Sequence, residues 1–192
     1  MIWIVLSLIV IGGAGYFFWS RRTLALSVGT VLKRTAELLS LKEVRFKKYP
    51  MPTVSGDYFG YRIALEGPSK KKHRFLATLL LPKPCATRLF LQSEKRKTSL
   101  KPIADLKWIT TGDPRFDSHF LLLAGEAPIA QAIFQAYLCG KILELSSKNW
   151  QIDIFKNEAH VELEQEILDA ASLAETLKVI VEICNAAVVK SS

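Results

Sequence analysis

Cysteine, histidine and methionine are scarce in this chain, at three, three and two among 192 residues. Cys85, Cys139 and Cys184 are odd in number and far apart, with no CxxC and no Cys/His spacing. That excludes the disulfide framework of a small secreted domain and leaves no metal motif. Cys139 and Cys184 fall within apolar helical patterns, so buried free thiols in a reducing cytoplasm are expected. No Walker loop, dinucleotide fingerprint, GxSxG elbow, zinc motif or kinase set occurs. Internal repeats, low-complexity tracts and long linkers are missing too. The sequence therefore assigns no catalytic residue, metal or cofactor.

Charge is absent from one stretch in particular. Residues 2–19, IWIVLSLIVIGGAGYFFW, hold no Asp, Glu, Lys or Arg. At ~1.5 Å per residue, a helix of that length roughly covers a bilayer's hydrocarbon core. Trp3 stands at one edge and Trp19, after Tyr16, Phe17 and Phe18, at the other, where aromatic rings favour the headgroup layer. A cleavable signal needs basic residues ahead of its apolar run, and only Met1 precedes this one. The expectation is a retained anchor over residues 1–20. Arg21 and Arg22 follow at once, and the positive-inside rule then places the C-terminal bulk in the cytoplasm.

The remaining charge is unevenly spread. From Arg21 to Lys107 there are 20 Lys and Arg against 6 Asp and Glu; from Trp108 to Ser192 there are 6 against 12. A basic half tethered beside an anionic leaflet is electrostatically favourable, each nearby cation contributing about 1 kcal/mol. The alternative is an ordinary solvated surface that happens to be basic.

Patterning divides the soluble part into helices and antiparallel strands. Residues 24–39 place Leu24, Val28, Val31, Leu32, Thr35, Leu38 and Leu39 on one helical face, which predicts a connecting helix within 21–42 that packs on the domain. A single domain over 43–192 follows. Its predicted strands are 43–49, 58–66, 72–81, 87–92 and 106–110, with Ser55-Gly56-Asp57 as a turn. Further on, 127–145 and 169–189 read as amphipathic helices, separated by a hairpin of 151–155 and 160–166. In its second strand Glu162, Glu164 and Glu166 share a face, as on the solvated side of an antiparallel sheet.

Successive turns of a simple meander alternate between the two ends of a sheet. The turn carrying Lys70, Lys71 and Lys72, with Arg74 beyond it, and the turn carrying Lys95, Arg96 and Lys97 would therefore share an end. That end is the candidate site for anionic lipid or an acidic partner. Nucleic acid is disfavoured, because only Phe75 supplies an aromatic ring near these cations.

Residues 112–120, GDPRFDSHF, form the one local motif. Gly112-Asp113-Pro114 is turn chemistry, and Phe116 to Ala124 reads as an apolar strand. On a strand, Asp117 and His119 would point to the same side, so Asp113, Asp117 and His119 are the candidates for acid/base or metal chemistry. Two ligands are too few for a metal, however. The competing reading has Asp113 fixing the turn while Phe116 and Phe120 fill the core.

A membrane helix, a strand pair, this GDPxFDxxF segment, an alanine-rich helix, a hairpin and a last helix together resemble uncharacterised single-pass membrane-anchored proteins of bacteria. The resemblance implies a bacterial inner-membrane location and entry of the segment into a core strand. It implies no activity, cofactor or catalytic residue.

The expected architecture is α+β: an N-terminal transmembrane helix, then a mainly antiparallel sheet with helices on one face. The expected function is non-enzymatic, a membrane-tethered interaction or scaffold module that docks on anionic lipid through basic turns and has a protein partner. One alternative is a binding domain for an apolar or lipidic ligand, which predicts a sizeable apolar cavity. The other is an enzyme using Asp113, Asp117 and His119, which predicts a polar cleft where they converge.

Overall fold

The computed structural model describes residues 27–48, 51–68, 74–93, 105–164 and 169–189. The apolar run of residues 2–19, with Trp3, Trp19, Arg21 and Arg22, lies outside them. Among the described residues no helix is long and apolar enough to cross a membrane.

The chain is α+β. Residues 27–38 are helical (α1). Then come β1 (Lys42–Lys47), β2 (Thr53–Tyr58), β3 (Tyr61–Glu66), β4 (Arg74–Leu80), β5 (Leu89–Ser93) and β6 (Lys107–Ile109). After them follow α2 (Pro114–His119), β7 (Phe120–Ala124), α3 (Ala127–Ile133), α4 (Ala136–Leu143), β8 (Asn149–Phe155), β9 (Glu158–Glu164) and α5 (Ala170–Val189). The nine described strands form one sheet in the order β1-β2-β3-β4-β9-β8-β5-β7-β6. Every pairing in it is antiparallel.

Period-two burial sets one face of the sheet against the helices. Tyr61, Ile63 and Leu65 of β3, Phe75, Ala77 and Leu79 of β4, and Trp150, Ile152 and Ile154 of β8 are all buried. They share one core with Val28 and Leu32 of α1 and with Leu173, Leu177, Ile180 and Cys184 of α5. Trp150, Phe116 and Phe120 are the largest fully buried side chains, and their rings touch in series at 5.0 and 5.7 Å between centroids. Burying each such ring contributes roughly 1.5–3 kcal/mol. β5 and β7 are buried along nearly their whole length, which is why they read as unbroken apolar runs.

Four sequence expectations are corrected. Ser55-Gly56-Asp57 lies within strand β2, and the chain reverses instead at Phe59-Gly60. Both have positive φ, 47° and 85°, the requirement of a two-residue turn that matches strand twist. Second, the sheet is not a simple meander, because the β8–β9 hairpin inserts between β4 and β5. Seven register pairs join β4 to β9, an interaction that local patterning cannot reveal. Third, residues 127–145 break into α3 and α4 at Phe134, whose φ and ψ are −86° and 60°. The break lets Phe134 reach the Phe116 ring, 5.9 Å away. Fourth, Pro114 to His119 form a helix, and the strand begins only at Phe120.

Despite the inserted hairpin, β3, β4 and β5 keep a shared end. Thr53 pairs with Lys47 and Glu66, Arg74 pairs with Glu164, and Asn149 also pairs with Glu164. The pairing of Gln92 with Gln151 brings Ser93 to the same end. The described part of α1 starts at this end too: a Cβ at Gly67 would lie 2.4 Å from Cγ1 of Val28, so this glycine permits the helix to approach.

Candidate functional site

The GDPRFDSHF segment is built from its own backbone requirements. Gly112 takes φ 87°, a left-handed conformation that favours glycine. Asp113 then caps α2, its Oδ1 accepting from the backbone N–H of Arg115 (2.9 Å) and Phe116 (3.4 Å). Pro114, with no N–H to leave unsatisfied, occupies the first turn. Asp117 reaches back to the turn: its Oδ1 accepts from the backbone N–H and hydroxyl of Thr111, both at 3.0 Å, and Oδ2 from the N–H of Gly112 at 3.4 Å. His119 pairs through Nδ1 with the carbonyl of Arg115 at 2.8 Å.

On a helix, residues two apart point to nearly opposite sides. Asp117 and His119 therefore do not converge, and the shared side expected from a strand is corrected. The two carboxylates hold a turn and a cap, while Phe116 between them is fully buried. Beneath the motif lies Cys139, whose Sγ donates to the carbonyl of Phe134 at 3.3 Å. Burial pushes the Cys139 thiol up to about 11, and the nearby Asp113 and Asp117 carboxylates act in the same direction. It is held neutral at physiological pH, which suits a core thiol rather than a nucleophile. Among the described residues no group of three His, Cys, Asp or Glu could hold a metal ion.

Of the seven cations expected to gather at one end, Lys70, Lys71, Lys72, Lys95, Arg96 and Lys97 lie outside the described residues. Arg74 is described, and it is committed elsewhere. Its guanidinium bridges Glu162 at 2.8 Å and Glu164 at 2.6 Å on the neighbouring strand. Those carboxylates thus hold a cation of the chain itself, instead of forming a bare solvated face. The strands around β5 carry a second such pair, Arg88 with Asp153, bidentate at 3.0 and 2.6 Å.

Unabsorbed positive charge sits at the opposite edge of the sheet from β6. All six residues of the edge strand β1 are exposed, and Lys42, Arg45 and Lys47 form no ion pair among the described residues. On α1, Lys33 is exposed beside them and Arg34 on the far flank. Between α1 and β1 runs an open cleft of 360 Å³ lined by Lys33, Ala36, Leu41, Val44 and Phe46 among others. The far flank of α1 has a second, of 340 Å³, lined by Val31, Arg34, Leu38 and Ala170 among others. The sequence pattern that could have revealed this surface is the run Lys42 to Lys48, four cations in seven residues.

No family model matches the chain, and no curated protein is similar to it. Among solved structures, the fold is similar to the crystal structure of the mycobacterial trehalose monomycolate transport factor A, TtfA. The TM-score is 0.57 at 9% sequence identity, covering 83% of this chain and 93% of that one.

Proposed function

We propose that this chain is a membrane-tethered, non-enzymatic module that acts by surface contact in the handling of membrane lipid. Close packing of the described side chains between sheet and helices supports the reading. Trp150, Phe116 and Phe120 occupy that space together with Leu122, Ile142 and Leu177, each at most 2% exposed. A body packed in this way engages a partner through its outside. Two further observations support it. The uncharged run of residues 2–19 has the length and aromatic edges of an anchor. The similar fold belongs to a transport factor for trehalose monomycolate, a lipid. In this reading the anchor sits in a bacterial inner membrane, with the domain on the cytoplasmic side next to a protein partner.

The test uses the full chain in a bacterial host. Alkaline carbonate should leave it in the membrane pellet, and a reporter fused after Ser192 should prove cytoplasmic. Extraction by carbonate, or an external reporter, overturns the proposal. The neighbour's association with a lipid also favours a second reading, in which the domain itself encloses an apolar ligand. Native mass spectrometry in mild detergent separates the two: surface action predicts the bare polypeptide mass, whereas enclosure predicts one lipid retained per chain.

A further inference from the structure

We infer that the α1–β1 edge of the sheet is the membrane-facing surface of the domain, laid against anionic phospholipid headgroups. The inference rests on the tethered reading above and deepens it by naming which face meets the bilayer. Residues 27–48, which supply the described part of α1 and all of β1, hold six Lys and Arg against two Glu. Lys42, Arg45 and Lys47 project along β1, the outermost strand. Lys33 stands beside it on α1, in the cleft with Val44 and Phe46, while Arg34 is exposed on the far flank of the helix, in the cleft that Asp169 also lines. Arg74 and Arg88, by contrast, are each held by carboxylates of a neighbouring strand.

Apolar groups complete the surface. Leu38, Val44 and Phe46 are 45, 49 and 37% exposed, high values for such side chains, and they border the two clefts along α1. Lys33 lies over the Phe46 ring at 4.6 Å, so a cation and an apolar group are presented together. A headgroup layer offers phosphate and acyl chain at adjacent depths, which this combination matches.

The chain's connectivity points the same way. Seven residues separate Trp19, the last of the uncharged run, from Ser27 in α1. Ser27 can therefore lie no further than ~29 Å from Trp19, so the described start of α1 would sit near the bilayer that the run would occupy. Lys47 lies at the same end of the sheet as that start, since Gly29 approaches Phe46 and Gly67 approaches Val28.

An open edge strand can also accept a strand from another copy, but β1 is poorly suited to it. Its register is broken between Lys42 and Arg45, Glu43 has φ 51°, and pairing it with itself would juxtapose cations. Such features protect edges from strand addition.

The test is lysine acetylation footprinting of the full chain, reconstituted into nanodiscs of phosphatidylcholine alone or with about a third phosphatidylglycerol. Lys33, Lys42 and Lys47 should react about fivefold or more slowly in the anionic discs, while the exposed Lys107 and Lys178 react equally in both. Salt at about 0.5 M, where the Debye length falls below ~5 Å, should remove most of the difference. In a triple variant, Arg34→Glu, Arg45→Glu and Lys47→Glu, the protection of Lys33 and Lys42 should vanish. Equal reactivity in the two disc types, or protection of Lys107 instead, overturns the inference while leaving the tether intact. A chain that elutes apart from both discs overturns the tether, and this surface assignment with it.

Discussion

Asp113 and Asp117 show how a chemically suggestive pair is absorbed by local structure. Each accepts backbone N–H groups that a six-residue helix and its preceding turn would otherwise leave unsatisfied. Asp113→Ala should lower stability by about 1 kcal/mol, the usual effect of losing an N-cap. Asp117→Ala should lower it by about 1–3 kcal/mol, because the Thr111 and Gly112 donors lose their acceptor. Both are measured by urea denaturation. Gly67→Ala places a methyl against Val28 and should cost about 1–3 kcal/mol. Adding Val28→Ala should recover part of that loss, since the two positions are in contact. The thiols give a pH dependence. Cys139 is pushed up to about 11 and Cys184 to about 12, in both cases chiefly by burial, from an ordinary value of 9.0. Above pH 9 the unfolded chain releases these protons while the folded chain keeps them, so stability is fully present below pH 9. It declines as pH rises towards the folded values, by roughly 1 kcal/mol per thiol at pH 10. Comparing the change between pH 7 and pH 10 with that of a Cys139→Ala/Cys184→Ala variant should show a shallower decline in the variant.

At the level of elements, most of the helices and strands were legible. The apolar stripe of 169–189 predicts the buried face of α5, and Leu173, Leu177, Ile180, Val181, Cys184 and Val188 are all buried. The hairpin of 151–155 and 160–166 corresponds to β8 and β9. Where patterning failed, a cap or a turn outweighed hydrophobicity. Phe116 is apolar enough for a strand, but Asp113 and Pro114 start a helix there. Phe59-Gly60 lacks the usual polar turn residues, and Phe59, at 86% exposed, has no core to fill. Leu38 was expected on the packed face of α1 and is exposed, because the stripe is narrower than the apolar spacing implied. The pairing of β4 with β9 brings Arg74 between two glutamates. Arg74→Ala should destabilise by less than about 1 kcal/mol, since the groups are partly solvated, and the effect should shrink at high salt. Thermal melting at two ionic strengths reads both.

For the molecule as a whole, the candidate site was only partly legible. Charge counting located a basic half, and the register gives Glu66, Arg74 and Ser93 one common end of the sheet. Yet the one described cation of the expected cluster is paired, while Lys42, Arg45 and Lys47 on β1 form no ion pair among the described residues. A charge in sequence is only a potential; its availability depends on which strand becomes its neighbour. Hence Lys42 and Arg45, modest in the sequence, emerge as surface features on an edge strand. The close packing of the described core side chains likewise bears on function, because summed side-chain volume decides whether a sheet and its helices enclose a pocket. Substituting Trp150→Ala should open such a space and lower stability by about 3–5 kcal/mol, measurable by chemical denaturation.

The sequence by itself determined the α+β class, the uncharged N-terminal run, the division into basic and acidic halves and the free thiols. These depend on composition and on periodicities of two and 3.6, which are local properties. Only the tertiary structure decided the strand order, the separation of Asp117 from His119, the neutralisation of Arg74 and the exposed edge at β1. Each of these depends on contacts between residues far apart in the chain, and nothing in a single stretch of sequence records which partner its hydrogen-bonding edge or its charge will meet.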